Sequence, residues 1–329
     1  MEQIKAFIEK AKTDRALFKN NRGELRSVWM LAMTMAIFYA VQHFISYPIY
    51  GVGFLAAKIS GNPDIANKTL ATVYGTALIY VIISALVSGL LLLLFRAVYK
   101  RPFAQIGFYK AGSVKHMLFG LLFGMVASSL AAFLLLGIGS ARVAEINIGN
   151  IQNPAVWNAF AIFLFVGFYD EILSRGVMMT ALKTTRNKWM IVFVPSVIFG
   201  FMHAFNANRT VFSLVNIALL GVLLSYLFVK TGRLWAPIGF HITWNLFMGS
   251  IYGIPVSGLS FDSIAVIELT GPNWLTGGAF GIEGGAACTF VAVLGLVYIH
   301  FFVQQSKGFW YFDSDMPLTR GYLKTTGEL

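Results

Sequence analysis

Seven apolar runs of twenty residues or more carry no Asp, Glu, Lys or Arg: 27–57, 69–95, 117–141, 189–208, 210–229, 234–261 and 284–306. A helix needs about 20 apolar residues to cross the roughly 30 Å hydrocarbon core of a bilayer. An eighth run, 155–182, is apolar apart from Asp170, Glu171 and Arg175. Only 12% of the 329 residues are charged, about half the share found in soluble domains. Two soluble domains, the expectation for this length, could not be given water-facing surfaces from so few charges. Cys288 is the only cysteine, so a disulfide scaffold is excluded as well. The reading is an all-α, polytopic membrane protein of about eight transmembrane helices.

The net charge of +11 raises the alternative of a nucleic-acid partner, which the distribution of the basic residues tests. With the N-terminus cytoplasmic, twenty of the twenty-five Lys and Arg fall on cytoplasmic connections and four on outer ones, with Arg175 inside a span. Basic residues gather on the cytoplasmic side of membrane proteins, so the charge marks a face of the membrane and no nucleic acid is expected. Dropping the charged fourth span would invert every later connection and erase the bias. Both termini are therefore expected in the cytoplasm. Residues 1–26 read as a cytoplasmic segment with Ile4, Phe7, Ile8 and Ala11 on one amphipathic face. They lack the apolar core of a signal peptide. Residues 27–306 form the membrane domain and 307–329 a cytoplasmic tail. The Gly-rich stretch 253–284 holds no basic residue and reads as a re-entrant or capping segment, the two being left open.

A charge at membrane depth costs at least about 2.5 kcal/mol even on lenient insertion scales, so three in one span need an explanation. Glu171 and Arg175 are spaced to pair along one helix face, and that pairing can be the whole of their role. It leaves Asp170, turned about 100° away, unexplained. The fifth run carries Phe199 and His203, and the seventh His241 and Asn245, each pair four residues apart and so on one face. A lone intramembrane His is commonly a packing residue, and His43, His116 and His300 are read so. The depths of the others argue for a cluster. Counted from the cytoplasmic ends of their spans, Asp170, His203, His241 and Asn245 lie roughly 20, 22, 12 and 18 Å deep. Alternating helices can thus bring a carboxylate, two imidazoles and an amide together.

The strings Asp170-Glu171-Ile172-Leu173-Ser174-Arg175, Phe199 to His203 and His241 to Asn245 resemble the CAAX-protease and bacteriocin-processing family of intramembrane glutamic endopeptidases. Its marks are E-E-x-x-x-R, F-x-x-x-H and H-x-x-x-N or D on successive helices of an eight-span fold. The resemblance covers about residues 155–250, the motif-bearing core. It implies that Asp170 and His203 activate a water molecule, that His241 and Asn245 stabilise the oxyanion, and that Glu171 and Arg175 hold the site together. It implies no cofactor and no metal. The implied substrate is a membrane-bound or lipidated peptide, met at the membrane lipid by an integral, multi-pass hydrolase. Amide hydrolysis does need a base for water and donors for the oxyanion, worth about 10²–10⁴-fold and 10²–10³-fold respectively.

Asp170 departs from the pattern, since the family carries a glutamate there. Its carboxylate is drawn back by about 1 Å, and a misplacement of that size can cost on the order of 10²-fold. Either the helix sits closer and Asp170 serves, or the chain is a weak or inactive relative acting as a membrane-embedded regulator or binding partner. A proton-coupled transporter would also place acids and histidines in the membrane, but the inverted repeats and broken helices it predicts are not found in the sequence. A zinc protease would use Asp170 or Glu171 with His203 and His241, yet the chain has no H-E-x-x-H helix.

Overall fold

The computed structural model describes residues 17–19, 25–62, 64, 77–98, 106–185 and 187–304. The N-terminal amphipathic face (Ile4, Phe7, Ile8, Ala11) and the 307–329 tail lie outside them. The fold is mainly helical. Each of the eight apolar runs holds a helix: α1 (Ser27–Ser60), α2 (Ala77–Ala97), α3 (Ser113–Gly137), α4 (Pro154–Thr185), α5 (Lys188–Met202), α6 (Val211–Thr231), α7 (Trp235–Leu246) and α8 (Ala286–Phe302). Ser27–Ile45 of α1 together with α2, α3, α4 and α6 are long and apolar enough to cross a membrane, whereas α5 and α8 are shorter apolar helices. The protein is an integral membrane protein.

The helix ends follow local chemistry. Asn187 caps α5 by accepting from the backbone N–H groups of Trp189 and Met190. Thr210 and Ser213 form a reciprocal capping box at the start of α6, which stops at Gly232 in the left-handed region (φ 62°). Such caps satisfy N–H groups that the first turn of a helix leaves without partners. Two helices widen into π-helical turns, α4 at Ile172–Met178 and α7 at its continuation Phe247–Ile251. π-turns of this kind are concentrated at functional sites.

Small residues seat α7 at the centre. A side chain at Gly120 or Gly124 of α3 would collide with the carbonyl oxygens of Ala236 and Phe240, and one at Gly239 of α7 would reach to 2.6 Å from Met117 O. The two backbones therefore approach as helices do at small-residue seams in membranes. Thr243 Oγ1 donates across the seam to Leu121 O at 2.7 Å. On the other flank, Gly167 of α4 leaves room for Ile242, whose Cγ1 would lie 2.7 Å from a Cβ there. α7 is thereby held between α3 and α4.

Two sequence expectations are corrected. α5 ends at Met202, so His203 caps the helix instead of lying within it. The seventh run stops being helical at Ile251, and Tyr252–Phe261 turns back toward the helices. The 253–284 stretch, left open as re-entrant or capping, is built of short elements. It contributes β2 (Ala265–Leu269), which pairs antiparallel with β1 (Ala141–Ile146), and then the short turns Asn273–Thr276, Gly278–Phe280 and Ile282–Gly284. The wholly helical expectation thus gains one small two-stranded sheet.

Candidate active site

Asp170 and Glu171 are the last residues of α4 before its π-helical turn. Being adjacent, they leave the helix in different directions. The Glu171 carboxylate is fully buried between helices, where Oε1 accepts from Arg175 Nη1 and from His241 Nδ1, both at 2.8 Å. Arg175, also fully buried, donates through Nη2 to Gly221 O of α6 at 2.9 Å and lies over the Phe199 ring at 4.8 Å. The expected Glu171–Arg175 pair is present, but it is not the whole of Glu171's role, because the same oxygen also holds His241. One ion pair thereby joins α4, α6 and α7.

Asp170 points the other way. It lines a cavity of about 230 Å³ with His203, His241 and Asn245. No protein hydrogen bond to its carboxylate is made among the described residues, although its accessibility is only 6%. α4 carries Asp170 and α7 carries His241 and Asn245, while His203 is the residue that ends α5. Phe199 sits among them, its ring edge-to-face with His203 at 4.9 Å and with His241 at 6.0 Å.

The hydrogen bonds fix which ring nitrogens are free. A carboxylate and a carbonyl oxygen can only accept. Nδ1 of His241 therefore donates to Glu171, and Nδ1 of His203 donates to Phe199 O at 2.9 Å. In its neutral form His203 then keeps a lone pair on Nε2, able to take a proton. His241 can donate through Nε2 when its ring is doubly protonated. Among the described residues no three or more His, Cys, Asp or Glu gather in a way that could hold a metal ion.

The cavity has a wall that the sequence reading did not name. Ser257 and Glu283 line it from the 253–284 stretch, and Asn206 lines it from the chain just after His203. Glu283 is 3% exposed and accepts from Trp244 Nε1 at 3.0 Å, Ser257 N at 2.8 Å and Ser257 Oγ at 2.7 Å. The signal in the sequence was faint: one of three acids in a stretch without basic residues. The three histidines read as packing residues stay outside the cavity. His300 bonds Tyr226 (2.9 Å between Nδ1 and the phenol oxygen) and His43 stacks on Tyr47.

Residues 152–247 match the family model described as type II CAAX prenyl endopeptidase Rce1-like. The matched segment contains Asp170, Glu171, Arg175, His203, His241 and Asn245 and stops short of Glu283. No curated protein and no solved structure matches the chain.

Proposed function

The chain belongs to the CAAX-protease and bacteriocin-processing family, and from that premise we propose that it is an intramembrane endopeptidase acting on a membrane-bound or lipidated peptide. The observation that carries this reading is the meeting of Asp170, His203, His241 and Asn245 on one cavity. Asp170 and the Nε2 lone pair of His203 take a proton from a water molecule, which attacks the scissile carbonyl. Asn245 and His241 donate to the oxygen that becomes negative, as preorganised oxyanion donors do. The proton held by the base then passes to the leaving amine, so that carboxylate and amine products form without a covalent intermediate. Glu171 and Arg175 act behind the cavity by fixing the His241 ring. His241 cannot swing toward the substrate without giving up an ion-paired oxygen.

The test is hydrolysis of a quenched, farnesylated peptide by the purified full-length chain in liposomes. Turnover is expected from the native chain, with losses of about 10²–10⁴-fold in Asp170→Asn and in His203→Ala. Peptide binding without cleavage by the native chain would instead make it a non-catalytic membrane partner. Equal turnover by the native chain and Asp170→Asn would remove Asp170 from the mechanism.

A further inference from the structure

Glu283 is a buried carboxylate that no cation pairs with among the described residues. Its three partners, the Trp244 indole N–H, the Ser257 backbone N–H and the Ser257 hydroxyl, are all placed to donate to it. Only an acceptor-only group satisfies all three, which is what an ionised carboxylate is and an amide is not. Ser257 is held meanwhile in the left-handed region at φ 49°, unusual for a residue with a side chain. Such a conformation persists only where its surroundings enforce it.

The contacts continue on both sides. Ser257 O accepts from Asn206 Nδ2 at 3.0 Å, and Asn206 N donates to His203 O at 3.1 Å. Trp244 immediately precedes Asn245 and follows His241 by three residues on α7. Glu283 O also accepts from Asn216 Nδ2 of α6 at 3.0 Å. One chain of hydrogen bonds therefore runs from His203, which follows α5, through Asn206, Ser257 and Glu283 to Trp244 on the helix that carries His241 and Asn245.

We propose that Glu283 is a positioning residue, whose clasp on Ser257 and Trp244 sets the distance between His203 and the His241–Asn245 pair. The role rests on the proposed peptidase reading, which makes these two sides the base and the oxyanion donors. Glu283 lies outside the segment that matches the family model, in the 253–284 stretch.

The test combines kinetics with a readout that needs no turnover. In the farnesylated-peptide assay, Glu283→Gln and Trp244→Phe are each expected to lower kcat by about ten- to a hundredfold, as misplacement near 1 Å does, with KM within about twofold. The double variant is expected to lose no more than the worse single one, because both break the same contact. Cys288 is the only thiol of the chain and is fully buried just beyond the clasp. Its alkylation by N-ethylmaleimide should quicken at least about tenfold in Glu283→Gln through local opening, without a matching loss of global stability. Unchanged kcat in both single variants, or a loss of activity that only tracks the folded fraction, would overturn the proposal. So would a Cys288 that stays protected. If the native chain cleaves nothing, the peptidase reading fails, and the alkylation rate alone decides whether the clasp exists.

Discussion

Glu171 Oε1 stands 2.8 Å from His241 Nδ1, on the helix next to its own, while holding Arg175 at the same distance. One oxygen thus carries both the charge balance of the core and the orientation of a cavity-lining ring. Replacing Glu171 by Gln leaves a fully buried guanidinium without its counter-charge. Breaking a buried pair from one side costs about 3–5 kcal/mol. Glu171→Gln is therefore expected to lose that much stability in chemical denaturation in detergent, and Arg175→Met to lose less than Arg175→Ala because it keeps the packing volume. Equal stability of Glu171→Gln and the native chain would show that the pair holds nothing.

Asp170 faces the cavity with a side chain one methylene shorter than the family's glutamate. If the carboxylate is drawn back from the water it must deprotonate, Asp170→Glu restores reach. The expected result is a gain in kcat of up to about 10²-fold with KM little changed. A loss of activity in Asp170→Glu would mean that α4 has already moved in to suit the shorter residue. A variant as silent as a silent native chain would favour the regulator reading.

Hydropathy made the helices legible because lipid-compatible runs leave few alternatives to helix. It did not mark where helices stop. The fifth run stays apolar through Phe205, yet α5 ends at Met202, and the chain turns through Asn208 at φ 57°. Depth counting brought Asp170, His203, His241 and Asn245 together because helix rise is a fixed quantity. Glu283 escaped it. An acid in a Gly-rich stretch has no periodic neighbours, and its burial is decided by Trp244 and Ser257, 39 and 26 residues away in sequence. The pairing of β1 with β2 is equally non-local, joining Ala141 to Leu269 across the whole motif-bearing core.

Phe199 touches three of the groups that matter, packing edge-on to His203 and His241 and under the Arg175 guanidinium. Phe199→Ala removes a buried ring and leaves a void among polar groups, at a cost of about 3–5 kcal/mol. Phe199→Leu keeps most of the volume but not the flat face. It is expected to retain more of the stability while losing turnover, because both imidazoles gain rotational freedom. Thermal unfolding and turnover measured on the same preparations separate the two effects. Parallel losses in both variants would reduce Phe199 to a packing residue.

The α3–α7 seam makes the last prediction, since it acts on the site from a residue that touches none of it. A Cβ at Gly124 would run into Phe240 O and lie 2.5 Å from Thr243 Oγ1. Both atoms are on α7, one residue before and two after His241. α7 cannot retreat freely, because Gly167 of α4 already packs against Ile242 on its far side. Gly124→Ala must therefore push α7 along or around its axis, at a cost of about 1–3 kcal/mol. The displaced helix carries His241 and Asn245, so turnover should fall by more than the loss of folded protein accounts for, on the order of 10²-fold for a shift near 1 Å. Gly137→Ala, at the end of the same helix with nothing within 4 Å of its Cβ, serves as the control and should leave both stability and turnover unchanged. If Gly124→Ala behaves like Gly137→Ala, the seam does not set the position of α7.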